Sequence, residues 1–131
     1  MNKVQILQNK LMKMLLRIDR LTPTEALHRK LNILKVRDIY ECNLLSFVND
    51  ILIRRCPEVF TDYFVLKQNA YDLRTKGQLV VPSARIMFGD RQVKIKGAQL
   101  WNRLPKDLLN KRLNKSFKNS YTKYVISKYL P

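Results

Sequence analysis

His28, Cys42 and Cys56 are the side chains most able to bind a soft metal or attack an electrophile. Successive members stand 14 residues apart, with no second close pair, so no zinc knuckle or finger can be assembled from them. A Cys–His nucleophile would need the fold to hold a base beside the thiol, and isolation in sequence argues against it. Each of the three reads as a structural residue. Phosphoryl transfer needs carboxylates to hold two metal ions, yet the 10 acids are scattered and include no Asp-Asp pair. Gly77, Gly89 and Gly97 lie too far apart for a phosphate-cradling loop. No catalytic residue, metal or cofactor is expected.

What remains is charge. In 131 residues, 26 Lys and Arg oppose 10 Asp and Glu, for a formal net charge of +16. Such an excess draws a protein to polyanions, although a basic surface that only keeps the chain soluble has the same composition. An apolar content of 46% is ordinary for a folded domain. No window is apolar enough to span a membrane, and Gln8, Asn9, Lys10 and Lys13 interrupt the run a secretory signal requires. A reduced nuclear or cytoplasmic location, without membrane attachment, is the expectation.

The elements that must position these charges can be read from periodicity. Residues 3–20 are expected to be helical, with Val4, Leu7, Leu11, Met14, Leu15 and Ile18 on a core face. Lys3, Lys10, Lys13, Arg17 and Arg20 fall on the opposite face. Thr22-Pro23-Thr24-Glu25 has the form of a capping box, with Thr22 as cap and Pro23 in the first turn. A short helix to about Leu31 follows. A longer one spans 36–55, burying Val36, Ile39, Tyr40, Leu44, Phe47, Val48, Ile51 and Leu52 and stopped by Pro57. Residues 57–78 lack a clean period and read as a connection.

Beyond it the pattern shifts to strands. Leu79-Val80-Val81 is a short strand, and Arg85–Phe88 and Arg91–Lys96 flank Gly89-Asp90 as a tight hairpin. Gln92, Lys94 and Lys96 would then share one strand face, with Val93 and Ile95 on the other. A short helix over 106–110 and a last helix over 115–129 complete the chain, the latter with Leu113, Phe117, Tyr121, Tyr124 and Val125 on one face.

The expected fold is therefore α+β, mostly α: a small N-terminal helical bundle, then a β-hairpin packed with C-terminal helices. The divisions are a helical lobe at 1–56, a connecting segment at 57–78 and a basic lobe at 79–131, with one compact domain as the alternative. From Arg91 onward there are eleven Lys and Arg against one acid, Asp107. Phosphate contacts are accordingly expected from Arg91, Lys94, Lys96, Lys111, Arg112, Lys115 and Lys118, with Lys10 and Arg17 as secondary contacts. Arg74 and Arg85 either join them or pair with Asp72 and Asp62.

Short strings along nearly the whole chain resemble the region downstream of the polymerase domain in LINE-type, non-LTR retrotransposon reverse transcriptases. They are Leu7-Gln8-Asn9-Lys10 with Arg17-Ile18, Thr22-Pro23-Thr24, Leu31 through Tyr40, Pro57 with Phe60 and Tyr63-Phe64, Tyr71 with Leu73-Arg74, and Leu79 through Pro82 with Arg85. Gly97-Ala98-Gln99-Leu100-Trp101-Asn102-Arg103-Leu104-Pro105, followed by Ser116-Phe117-Lys118, is the most specific stretch. The resemblance implies a non-catalytic transposable-element segment that helps hold template RNA or target DNA, with the polymerase and endonuclease domains upstream in a parent protein. A start at Met1, where the tail helix begins, suggests either a remnant of a truncated insertion or a tail made as a separate protein. Within the motif, Trp101, Leu104 and Phe117 read as core anchors and Asn102 as a cap for the turn into Pro105. Base stacking is the alternative for Trp101. The competing function is a domesticated or remnant helical protein-interaction module whose charge is not a binding site.

Overall fold

The computed structural model describes residues 2–68, 77–83, 92–110 and 117–130. Among them lie six α-helices: α1 (Asn2–Leu15), α2 (Thr24–Leu31), α3 (Val36–Leu52), α4 (Val93–Asn102), α5 (Lys106–Asn110) and α6 (Phe117–Ser127), with a 3₁₀ turn at Glu58–Phe60. No strand or sheet occurs among the described residues, so the α+β expectation is corrected to a helical fold. Residues 92–96, expected as the second hairpin strand, include the first turn of α4. The first hairpin strand and Gly89-Asp90 lie outside the described residues. Leu79 makes a single antiparallel bridge to Leu66 instead of opening a strand. The alternation over Gln92–Lys96 misled because five residues are too few to separate a period of 2 from one of 3.6.

Two compact units are drawn from segments distant in sequence. One comprises residues 1–42 and 119–131, the other residues 43–118, and the division falls within α3 and near the start of α6.

The first unit is organised around a buried polar core. His28 is wholly buried. Its Nδ1 lies 3.0 Å from the Ile33 carbonyl, and its Nε2 lies 3.2 Å from Asn9 Oδ1 and 3.4 Å from Gln5 Nε2. Gln5 Oε1 accepts from the Val36 N–H at 2.8 Å, satisfying a free amide at the start of α3. Gln8 donates to the Leu34 carbonyl at 2.8 Å. The carboxamide face of α1 thus points inward, because the α2–α3 turn presents backbone groups that need partners. This reverses the expected orientation of α1. Val4, Leu7, Leu11, Met14 and Leu15 are exposed, and Met12 is the one buried residue of the helix.

Three helices end alike. Arg17, Asn32 and Arg54 have φ of 52°, 55° and 57°. After each comes the paired 5→2 and 6→1 hydrogen bonding of a Schellman turn, as in Arg54 N–H to Ile51 O at 3.0 Å and Arg55 N–H to Asp50 O at 2.8 Å. The expected capping box at Thr22 is not formed. Helix α2 begins at Thr24 behind Pro23 with no side-chain cap, and Glu25 instead pairs with Lys35 at 2.6 Å.

The second unit is built on Trp101, which is fully buried with its ring 5.7 Å from that of Phe117. Gly97 lets α4 approach closely: a Cβ there would sit 3.0 Å from both Val48 Cγ2 and Phe64 Cζ. Ala98, Leu100 and Ile95 complete the buried side of α4. In α3 the buried arc is rotated from the expected one. Ile39 and Tyr40 are exposed, while Cys42, Leu45 and Asn49 join Leu44, Val48 and Ile51 inside.

Candidate nucleic-acid interface

The expected binding face at Lys94 and Lys96 depends on strand geometry, and that geometry is absent. Two positions along a helix turn about 200°, so side chains two apart point away from each other. Lys94 instead lies 5.4 Å from the centre of the Tyr63 ring, a cation–π contact on an edge-to-face run through Phe47, Phe60, Tyr63 and Phe64. Lys96 is half-buried on α4, and Lys118 is exposed near the start of α6. Arg74, Arg85, Arg91, Lys111, Arg112 and Lys115 lie outside the described residues.

A different basic site forms within the first unit. Lys10, Lys13, Arg17 and Arg20 line a cleft of about 550 Å³ together with Ile6, Met14, Ile18, Asn9 and Thr24. Among the described residues that line it there is no carboxylate. Lys10 and Lys13 project from one side of α1, and Lys13 sits in its last turn, where the helix dipole favours a cation. The left-handed Arg17 then turns the chain sharply, with Arg17 N–H to Met14 O at 3.2 Å and Ile18 N–H to Lys13 O at 3.0 Å. Lys13 Nζ donates to the Arg20 carbonyl, tying the returning loop to the helix. One wall is therefore helix and the other is a loop held by hydrogen bonds, so the backbone that carries the cations is fixed on both sides. Lys10, Arg17 and Arg20 are exposed and can reach an anion, while Ile6, Met14 and Ile18 add apolar surface to the lining.

Of the residues singled out from sequence, the cleft brings together Lys10 and Arg17. Lys13 and Arg20 had been placed on the same basic helix face without being singled out as contacts. Their spacing carried the signal, but the αL turn at Arg17 did not show in the sequence.

The residues of the motif at 97–105 serve the second unit's interior. Trp101 Nε1 donates to the Gly77 carbonyl at 3.2 Å. Asn102 does not cap the turn into Pro105. Its carboxamide turns to Leu79, accepting from the N–H at 2.7 Å and donating to the C=O at 2.9 Å. Leu104 and Pro105 are half-buried ahead of α5.

Among the described residues no group of three His, Cys, Asp or Glu could hold a metal ion, and no helix is long and apolar enough to cross a membrane. Cys42 is buried and Cys56 half-buried, with Cys42 Sγ 3.8 Å from Thr122 Oγ1. Burial raises the Tyr121 phenol well above the usual tyrosine range, and the Glu41 and Asp38 carboxylates add to the shift. Tyr129 is raised for the same first reason and through its hydrogen bond to Asp38. The Tyr129 hydroxyl is the donor in that bond. Lys35 holds the Glu25 carboxyl below its usual range. No family model matches the chain, and no curated protein and no solved structure matches it either.

Proposed function

We propose that this chain is a non-catalytic nucleic-acid-binding module, of the kind found at the C-terminal end of a LINE-type reverse transcriptase, that holds RNA or DNA by its phosphate backbone. One observation carries the reading: four cations from a helix, a turn and a loop converge on a cleft whose described lining holds no carboxylate. Arg and Lys are the usual phosphate partners in such contacts, and they position a strand without reading its bases. The apolar lining from Ile6, Met14 and Ile18 can accept a sugar or the edge of an unstacked base, which favours single strands over duplex in the cleft.

In this reading the chain extends no primer and cuts no strand. A parent polymerase domain and the nucleic acid are its partners, and it works in the nucleus or cytoplasm. Titration of the full chain with single-stranded RNA, duplex RNA and duplex DNA at several salt concentrations tests it. Binding that weakens steeply with salt, and is tightest for the single strand, is the expected result. Absence of binding to all three at low salt would remove the proposal.

A further inference from the structure

Helix α1 has three sides. Gln5, Gln8, Asn9 and Met12 face the interior, Ile6, Lys10 and Lys13 border the cleft, and Met14 stands at the edge between the cleft and the third side. The third side is apolar and bare: Val4 is 55% exposed, Leu7 64%, Leu11 58%, Met14 74% and Leu15 72%. Val4, Leu7, Leu11 and Met14 repeat at intervals of three, four and three, the spacing of a two-heptad coiled-coil seam. The helix rises about 21 Å over its 14 residues, long enough for a partner helix to lie along it.

We propose that this seam docks an amphipathic helix of a partner protein, one whose apolar stripe is flanked by Asp and Glu. Charge complementarity selects that occupant. Helix α1 contains no acid, and Lys3 and Lys10 run beside the seam on one edge. A second copy of the chain would bring the same lysines against each other in an antiparallel pair and offer them no carboxylate in a parallel one. An anionic membrane would satisfy the charge, but helices that lie in a bilayer interface present a broad apolar face, often with an aromatic anchor. Helix α1 has no aromatic residue to serve as that anchor. The inference stands apart from the nucleic-acid reading, because Leu7 and Leu11 do not line the basic cleft.

The test uses the full chain and a synthetic helical peptide with Leu at the a and d heptad positions and Glu at e and g. Three controls accompany it: a scrambled peptide of identical composition, the same peptide with Lys replacing Glu, and phosphatidylserine vesicles. The patterned acidic peptide should bind at least about tenfold more tightly than the scrambled one. Leu7→Gln with Leu11→Gln should erase that margin while leaving RNA affinity unchanged. Because both side chains are exposed, the variant should fold, and unchanged thermal unfolding verifies this. Lys3→Glu with Lys10→Glu should move the preference to the Lys peptide. Equal binding of patterned and scrambled peptides would overturn the proposal. So would vesicle binding that depends on Leu7 and Leu11 without peptide binding, or a chain dimer that the Leu7/Leu11 variant dissolves.

Discussion

The side-chain amide of Asn102 pairs with both backbone polar groups of Leu79, at 2.7 and 2.9 Å, as a neighbouring strand would. Leu79 is fully buried, so neither group can turn to water instead. Removing the carboxamide therefore exposes the full desolvation cost of two groups. Asn102→Ala is expected to lower unfolding free energy by about 2–4 kcal/mol. Asn102→Asp should also be destabilising, because a carboxylate cannot donate to the Leu79 carbonyl. Chemical denaturation measures both. A loss below about 0.5 kcal/mol in the alanine variant would show that the pairing contributes little.

Gly97 should resist replacement. In a free helix, Ala in place of Gly gains about 1 kcal/mol. Here the added Cβ meets two buried neighbours, Val48 and Phe64, at 3.0 Å. Gly97→Ala is expected to forfeit that gain, and Gly97→Leu to cost about 1–3 kcal/mol or more. A Gly97→Ala, Val48→Ala double variant less destabilised than the sum of the two single variants would locate the cause in that contact.

Arg54 sits at φ 57° after α3, where a side chain costs about 1–2 kcal/mol and glycine avoids the clash. Against this stands the greater freedom of glycine in the unfolded chain, about 0.5–1 kcal/mol. Arg54→Gly should therefore stabilise by up to about 1 kcal/mol, while Arg54→Val should destabilise. A shift in the opposite direction for the glycine variant would contradict the αL assignment.

Alkaline pH should loosen the first unit. Tyr121 has a folded pKa raised above the ordinary 10.0, chiefly by burial. Its contribution is present in full below pH 10.0 and is lost as pH rises through that value toward the folded one. Deprotonation of lysines over the same range relieves self-repulsion, so the comparison must be differential. Melting temperatures from about pH 9 to 11.5 should fall more steeply for the parent than for Tyr121→Phe. Parallel profiles would mean the phenol is not held protonated by the fold.

Much of the helical framework was legible in the sequence. The starts of α3 and α5, the ends of α2 and α5, and the Phe117–Tyr121–Val125 stripe follow from apolar spacing and from Pro105, whereas α3 ends at Leu52, ahead of the 36–55 span expected from Pro57. Three things were not. The inward face of α1 is chosen by hydrogen-bond demand at the α2–α3 turn, so its leucines point outward against the hydrophobic pattern. The Schellman turns at Arg17 and Arg54 use no glycine, and only Asn32 carries a residue type that signals one. The short alternation at Gln92–Lys96 reads equally as strand or helix, and the packing of Ile95 and Trp101 in α4 decided it. For the candidate site, the basic spacing of α1 was visible, but the turn that closes the cleft was not. The signal that could have raised α1 above the C-terminal limb is the lack of any acid before Asp19.

On duplex DNA, phosphate neutralisation gives binding a log–log salt slope of about −0.9 per contact. Lys10→Gln with Arg17→Gln should weaken binding and flatten the slope by up to about two units, with little change in sequence preference. Lys94→Gln with Lys96→Gln should change it less, because α4 turns those side chains apart. If the Lys10/Arg17 variant binds like the parent at every salt concentration while the Lys94/Lys96 variant is crippled, the cleft on α1 is not the contact surface.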